Sequence, residues 1–239
     1  CGKGDLKPGA IVMGYAKSGD DLLYVTNRYN IGYVVSDYYA NGSFWCSYPN
    51  KSFKQRPGKA VKAENGKIYV SVVFSDGDNV QFDQNALYAI WTEDTDRGAF
   101  PVGTTLCAGM QELNPFLLEW YYKHMSPNDE LMAGPSGYQF IYGRDYSEEG
   151  YEKWLELNRR WLASAGFKTA CFWHTSYGTD RFYRYVETAG LEGVFNGDDD
   201  VILDYHDGVI IMNQGDHLVA EGDLYNKLAQ RQGQFDHLR

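Results

Sequence analysis

The 239-residue chain lacks several features that mark large classes of proteins. No apolar stretch approaches the roughly 20 residues that a membrane-spanning helix needs, so we predict no transmembrane segment. None of the four cysteines forms a Cys-x-x-Cys pair, the motif of many metal and redox sites. Gly-x-Ser-x-Gly, His-Glu-x-x-His, P-loop and EF-hand motifs are also absent from the sequence. These absences disfavour serine esterases, zincins and P-loop enzymes.

Basic residues are scarce: 22 Lys and Arg against 32 Asp and Glu leave a formal net charge of −10. An acidic protein repels nucleic-acid phosphates and anionic lipids, so we expect no nucleic-acid partner. The chain begins at Cys1 without a Met, which predicts a mature form or a domain of a longer protein. Aromatic residues, by contrast, make up 16% of the chain, which a packed core or a sugar-binding surface would explain.

Short apolar runs alternate with amphipathic stretches along most of the chain. The runs predict strands at 10–15, 31–37, 68–74, 100–106, 130–133, 167–173, 191–195 and 208–212. The amphipathic stretches predict helices at 81–91, 114–124, 147–165 and 180–189. This alternation predicts an α/β fold with a mostly parallel sheet.

Roughly eight strands in a chain of this length favour a (β/α)-barrel. We therefore expect residues 1–239 to form a single barrel-like domain. An open, doubly wound sheet is the alternative, although no Gly-x-Gly-x-x-Gly motif follows an early strand. Residues 38–64 are rich in Asn, Ser, Pro, Gly and Lys, which predicts an irregular excursion after the second strand.

Ligands of α/β proteins bind beyond the carboxyl ends of the strands, so candidate residues directly follow the apolar runs. Asp76, Asp78 and Asn79 form the sharpest group. Their oxygens suit proton transfer, a sugar hydroxyl or a hard cation. The structural alternative is an Asx turn in which Asp78 or Asn79 caps the following helix.

Glycoside hydrolysis uses two carboxyl groups that flank the scissile bond from opposite sides. Neighbours on one strand do this poorly, so we expect Asp76 to act with a carboxylate from another strand end. Asp37, Asp198 and Asp216 are the candidates. The crowded run Asp198-Asp199-Asp200 would suit a general acid or a cation, and a solvated acidic loop is the alternative.

Further candidate substrate-binding residues follow the other apolar runs. They are Gly134, Ser136, Gly137, Tyr138, Trp173, His174, Tyr177 and Gln214. The rings of Tyr138, Trp173 and Tyr177 would either stack on sugars or pack in the core. His174 has both a functional and a purely structural interpretation.

Two segments of the sequence carry a resemblance to a known family. A strand that runs into Ser75-Asp76-Gly77-Asp78-Asn79, followed by Gly134-Pro135-Ser136-Gly137-Tyr138, resembles the C-terminal domain of the GxGYxYP proteins. The resemblance covers roughly residues 67–217. The signature segment departs from the family pattern, since Pro135 stands where its first glycine would align and Phe140-Ile141 replaces its Tyr-Pro end.

The resemblance implies a bacterial carbohydrate-cleaving domain in the periplasm, at the cell surface or secreted. It implies an additional N-terminal domain as a partner, and site positions at Asp76, Asp78, Asn79, Gly134, Gly137 and Tyr138. The favoured function is hydrolysis of a glycosidic bond in an oligo- or polysaccharide, with Asp76 and either Asp198 or Asp37 as the carboxyl pair.

Two alternatives remain open. A carbohydrate-binding domain would have aromatic platforms and no working carboxyl pair. A metal-dependent carbohydrate esterase or deacetylase would hold a cation near Asp76, Asp78 and His174. We expect catalysis to need no cofactor, and we expect calcium, if bound by Asp76, Asp78 and the 198–200 run, to be structural.

Overall fold

The computed structural model describes residues 6–7, 9–15, 19–56, 62, 64–67, 69–172, 177–197, 203–213 and 226. Over these residues, no helix has both the length and the apolar character that crossing a membrane requires.

The structure has nine strands in its described residues. They are β1 (Ile11–Gly14), β2 (Gly32–Val35), β3 (Val73–Phe74), β4 (Val102–Leu106), β5 (Asp129–Ala133), β6 (Thr169–Phe172), β7 (Gly193–Asn196), β8 (Leu203–His206) and β9 (Val209–Asn213). Eight of them lie at the predicted apolar runs, whereas β8 lies at none of them. The main sheet has the order β3-β4-β5-β6-β7-β9-β8. Only the β8–β9 pair of this sheet is antiparallel. The prediction of an α/β fold with a mostly parallel sheet is therefore confirmed.

The main sheet is open, and the prediction of a barrel was wrong. In the described part of the chain β3 and β8 stand at opposite edges and no pairing joins them. At its edge β3 pairs with β4 over only two residues, whereas β8 turns back on β9. Because β3 to β7 lie side by side in chain order, right-handed connections carry their helices along one face. The sheet thus also lacks the reversal of strand order that defines a doubly wound fold.

The helices confirm the four amphipathic predictions and add shorter ones. They are α1 (Gly19–Asn27), α2 (Gly42–Trp45), α3 (Val80–Gln84), α4 (Ala86–Glu93), α5 (Met110–Leu113), α6 (Pro115–His124), α7 (Glu148–Ala165) and α8 (Thr179–Thr188). The predicted helix at 81–91 is divided at Asn85 into α3 and α4. At the start of α7 the Ser147 hydroxyl accepts from the Gly150 N–H, and Gly166 ends the helix at φ 75°.

The β1–β2 pair is a separate two-stranded parallel sheet that meets the carboxyl edge of the main sheet. Val35 forms a parallel bridge with Asn79, which follows β3. The Tyr33 N–H donates to the Phe140 carbonyl at 3.3 Å, and the Phe140 N–H donates to the Tyr33 carbonyl at 2.8 Å. These contacts bring Asp37, just after β2, to the carboxyl ends of the strands, where Asp76 and Asp78 lie.

Much of the aromatic content is core. The largest fully buried side chains include Tyr33, Trp154, Tyr121, Tyr151, Phe172, Tyr177, Phe182 and Tyr185. The Tyr177 ring lies 4.3 Å from Phe172 and 6.1 Å from Trp154 between ring centroids. Contacts of this kind supply apolar burial and favourable ring geometry together.

Described residues of the excursion at 38–64 pack against β5 and α6. In its described residues α2 is the only regular element. The Leu131 N–H donates to Gln55 Oε1 at 2.7 Å, and Gln55 Nε2 donates to the Leu131 carbonyl at 2.5 Å. The Phe53 ring stacks on Tyr122 of α6 with centroids 4.4 Å apart. The excursion therefore holds α2 in a defined place beside α6.

Candidate functional site

Residues Ser75 to Asn79 form a segment, here the acidic turn, that crosses the carboxyl ends of β4 and β5. The Gly77 N–H donates to the Thr105 hydroxyl of β4 at 3.0 Å, and that hydroxyl donates to the Phe74 carbonyl at 3.0 Å. Gly134, directly after β5, allows a close approach, because a Cβ there would lie 2.7 Å from the Asp78 nitrogen. Both glycines are needed for the turn to lie against the backbone of the sheet.

Within the acidic turn, Asp76 and Asn79 have different roles. Asp76 is exposed and has a φ of 83°, a left-handed conformation that non-glycine residues adopt at a cost. Such strain occurs preferentially at functional sites. Asn79 caps α3, because its side chain accepts from the Phe82 N–H at 3.1 Å. The structural alternative thus describes Asn79, and the cap is not Asp78.

Asp78 is a partly buried carboxyl beside Asp76. Burial, and then repulsion from Asp76, raise the pKa of Asp78 to about 7. Burial also raises the pKa of the more exposed Asp76. The acidic turn therefore presents an exposed carboxylate next to a carboxyl group that holds its proton up to about neutral pH.

A third carboxyl group, Asp83, lies beneath the turn in the first part of α3. Its side chain has no exposed surface, and neither carboxyl oxygen forms a hydrogen bond of normal geometry with a described residue. Burial raises the pKa of Asp83 well above its usual value, the backbone N–H of Cys107 offsets part of this rise, and repulsion from Asp78 and Asp76 adds to it. Burial thus favours the protonated form of Asp83 in the folded protein.

Asp37 stands exposed after β2, on the other side of a buried phenol. The Tyr33 hydroxyl donates to the Gly14 carbonyl at 2.6 Å. Burial, and then the charges of Asp37, Tyr15 and Asp78, raise the pKa of Tyr33 to about 12. Asp37 and Asp78 therefore lie within electrostatic reach of the same hydroxyl, and the structure places Asp37 and the acidic turn at one edge of the sheet.

The side chains of Ser136 and Tyr138, which follow β5, form hydrogen bonds within the protein and do not face solvent. The Ser136 hydroxyl donates to the Ile141 carbonyl at 3.2 Å, and the Tyr138 hydroxyl donates to Glu112 Oε2 at 2.5 Å. Ser136 and Tyr138 are 2% and 3% exposed. Gly137, at φ 119°, leaves room for the Asn158 amide oxygen, which accepts from the Tyr138 N–H at 2.8 Å. Ser136 and Tyr138 thus present no side-chain surface to a ligand in this structure.

The remaining predicted site residues divide into one core residue and several outside the described part of the chain. Tyr177 is 2% exposed, so core packing, the alternative interpretation, describes its environment. Trp173, His174, Asp198, Gln214 and Asp216 lie outside the described residues, as do Asp199 and Asp200.

Comparison with known proteins decides the family. A family model described as "GxGYxYP putative glycoside hydrolase C-terminal domain" matches residues 66–233. The chain belongs to this family. The resemblance of the acidic turn and the segment after β5 to GxGYxYP proteins is thereby confirmed. A search of curated protein sequences finds no match.

A solved structure supports the fold of this GxGYxYP domain. A "putative hydrolase from Bacteroides thetaiotaomicron VPI-5482" superposes with a TM-score of 0.76 at 24% sequence identity. The match covers 86% of this chain and 42% of that protein. The chain therefore spans less than half the length of its structural relative, and the likeness establishes the fold alone.

The described residues of this GxGYxYP domain contain no group of three or more His, Cys, Asp or Glu side chains placed to hold a metal ion. Asp76, Asp78 and Asp83 are neighbours, but only Asp76 is exposed. Cys107 and Cys171 are buried thiols. Burial raises the pKa of the Cys171 thiol to about 11, so it is protonated at neutral pH.

The buried acid predicts how stability changes with pH. Asp83 binds its proton more tightly in the folded state than in the unfolded state, where its pKa is about 3.9, so folding takes up a proton above that pH. The stabilising contribution is complete below about pH 4 and declines as the pH rises. We expect the free energy of unfolding of Asp83→Asn to rise relative to that of the parent by up to about 1.4 kcal/mol for each further pH unit, until Asp83 ionises in the folded protein.

Urea unfolding of the parent and of Asp83→Asn at pH 4, 6 and 8 measures this difference. Asp96→Asn is the matched control, because Asp96 is exposed in the turn before β4, at the amino ends of the strands and away from the acidic turn. A difference between Asp83→Asn and the parent that stays constant from pH 4 to 8 would show that Asp83 is charged in the folded protein.

Proposed function

We propose that this GxGYxYP domain hydrolyses glycosidic bonds at the acidic turn. The observation that carries the proposal is the pairing of the exposed, strained Asp76 with Asp78, whose pKa is raised to about 7. Two carboxyl groups held in different environments are the arrangement that lets one act as an acid while the other is ionised. Family membership supports the same class of reaction.

In this proposal Asp78 is the general acid. A carboxyl group with a pKa near 7 retains its proton at neutral pH and is still acidic enough to release it. The proton passes to the glycosidic oxygen as the bond from that oxygen to the anomeric carbon breaks. The leaving sugar departs as a neutral alcohol, which removes the charge that would otherwise develop on its oxygen.

Asp76 is the ionised partner. Its carboxylate takes a proton from the water that attacks the anomeric carbon, or it attacks that carbon itself. In the second route water then hydrolyses the resulting glycosyl ester, and Asp78 recovers its proton from that water. The left-handed backbone of Asp76 ends the strand geometry of β3, so the side chains at positions 76 and 78 are not bound to one face of a strand. Asp37, exposed across the Tyr33 hydroxyl, is the second candidate for this role.

The proposal predicts that cleavage survives removal of metal ions, because a carboxyl pair needs none. Purified protein is incubated with neutral hexasaccharides of glucose, xylose and mannose, before and after exhaustive chelation, and products are separated by chromatography. We expect shortened oligosaccharides in equal amounts under both conditions. Activity that is lost on chelation and restored by zinc, at unchanged melting temperature, would instead favour a metal-dependent esterase or deacetylase.

A further inference from the structure

An aromatic group lies on the surface beside the candidate site and has no role in the core. We call Phe44, Trp45, Tyr48 and Phe116 the aromatic platform. Phe44 and Phe116 are 54% and 42% exposed. Trp45 stacks on Phe116 with centroids 5.7 Å apart and planes 25° apart, and its ring N–H donates to the Ala40 carbonyl at 3.1 Å. The platform is therefore fixed in orientation before any ligand arrives.

A cavity of about 370 Å³ opens at α2, the helix that carries Phe44 and Trp45. Ser43 and Cys46 of the α2 region line one part of it together with Leu113, the last residue of α5. Gly14 and Ser36, at the carboxyl ends of β1 and β2, line the other part. The cavity thus lies between the platform-bearing helix α2 and the carboxyl ends of these two strands.

The cavity wall includes residues that neighbour the acidic site. Ser36 directly precedes Asp37 in the sequence. The Gly14 carbonyl accepts the hydroxyl of Tyr33, which lies within electrostatic reach of Asp37 and Asp78. A ligand that fills the cavity therefore contacts the residue next to Asp37, the second candidate for the ionised carboxyl group.

The chemistry of this surface favours an uncharged, ring-shaped ligand. None of the described residues that line the cavity is charged, while hydroxyl groups and backbone carbonyls are present. Flat aromatic faces with hydroxyls beside them suit the apolar face and the polar rim of a sugar ring. The volume falls within the range of small-molecule sites, which a flat protein-docking patch does not require. The nearby aspartates and the net charge of −10 disfavour an anionic sugar.

We propose that the aromatic platform and this cavity form a subsite for neutral sugar units of a glycan whose scissile bond lies at the acidic turn. The inference rests on the proposed function for the position of that bond. The subsite itself depends only on the platform and the cavity, so binding can be tested separately from cleavage.

The test measures binding of neutral hexasaccharides of glucose, xylose and mannose by calorimetry, with Asp78→Asn as the background so that nothing is cleaved. We expect at least one of them to bind, and Phe116→Ala or Phe44→Ala to weaken it by about tenfold through loss of stacking. Both side chains are largely exposed, so neither change removes core packing. Phe100→Ala is the matched control, because Phe100 is 53% exposed in the turn before β4, at the amino ends of the strands.

Cys46 provides a second readout that does not depend on a substitution. It is an exposed free thiol in the cavity wall. We expect the hexasaccharide that binds to slow the alkylation of Cys46 by N-ethylmaleimide. Peptide mapping measures this alkylation. Hexagalacturonate, an anionic oligosaccharide, should give no protection.

Four outcomes would overturn the subsite: no binding of any neutral hexasaccharide, equal binding by the parent and the platform variants, unprotected Cys46, or protection by hexagalacturonate. Self-association of the parent that Phe116→Ala abolishes, without sugar binding, would assign the platform to a second copy of the chain. Sugar binding at the platform without cleavage by the parent would support the subsite and contradict the proposed function.

Discussion

Replacing Asp78 with asparagine should lower turnover of a cleaved oligosaccharide by about 10²- to 10⁴-fold at pH 6, the range typical for loss of a general acid. Asparagine matches the size of aspartate but carries no proton to donate. The fold should persist, because the change removes a partly buried carboxyl group whose ionised form is disfavoured by burial. Asp76→Asn should reduce turnover comparably, since it removes the ionised partner.

The pH profile separates these roles from a general loss of structure. With Asp78 as the acid, kcat/KM of the parent should fall as the pH rises through about 7, where Asp78 loses its proton. Asp96→Asn, at the amino ends of the strands, should leave both the rate and the pH profile unchanged. Full turnover by Asp78→Asn, with a melting temperature like that of the parent, would show that Asp78 takes no part in the reaction.

Substituting Gly77 with alanine should have the largest effect on stability, about 4 kcal/mol or more. A Cβ at position 77 would overlap the backbone carbonyl of Thr105 and crowd the Leu106 nitrogen, neither of which can move without disturbing β4. The acidic turn would have to lift from the sheet. We therefore expect Gly77→Ala to lose activity as well, even at temperatures where it remains folded.

Gly193→Ala is the matched control for this effect. Gly193 lies in β7, where a Cβ would meet Thr169 Cγ2 at 3.5 Å, an ordinary contact. Chemical denaturation of the two variants and the parent gives the comparison. If Gly77→Ala were no less stable than Gly193→Ala, the acidic turn would not lie against β4 as described.

The elements of the fold could be predicted because each depends on local pattern. Continuous apolar runs identified the strands of the main sheet other than β8, and the cap residues of α7 fixed both of its ends. Closure of the sheet depends instead on pairing between distant edges, which no local pattern contains. The missed strand β8 did leave a signal, since Asp207-Gly208 is a favoured dipeptide for a tight hairpin turn and has φ of 47° and 87°.

Residue type alone could not predict which aromatic side chains are buried. Tyr138 and Tyr177 were candidates for sugar stacking, yet both are buried, because the Tyr138 ring stacks on Trp161 and the Tyr177 ring packs against Phe172. The exposed rings belong instead to the excursion, where Phe44 lies in a four-residue helix too short to show periodicity. The position of such rings depends on how the excursion packs on α6.

The candidate site was partly visible in the sequence. Asp76 and Asp78 directly follow an apolar run that predicted a strand. They identified the acidic turn because ligands of α/β proteins bind beyond the carboxyl ends of the strands. Asp83 was missed, although it carries a readable signal: it occupies a core position between Val80 and Leu87, three and four residues away on a helix. An acidic residue in an apolar helical stripe indicates a buried carboxyl group with a special environment.

A crystal structure of Asp78→Asn with a bound neutral oligosaccharide tests the central claim most directly. The account predicts a glycosidic oxygen within hydrogen-bonding distance, about 3 Å, of the replaced side chain at position 78. The Asp76 carboxylate should face the anomeric carbon of the same bond from the other side. An oligosaccharide that binds with no glycosidic bond near positions 76 and 78 would contradict the assignment of the acidic turn as the catalytic centre.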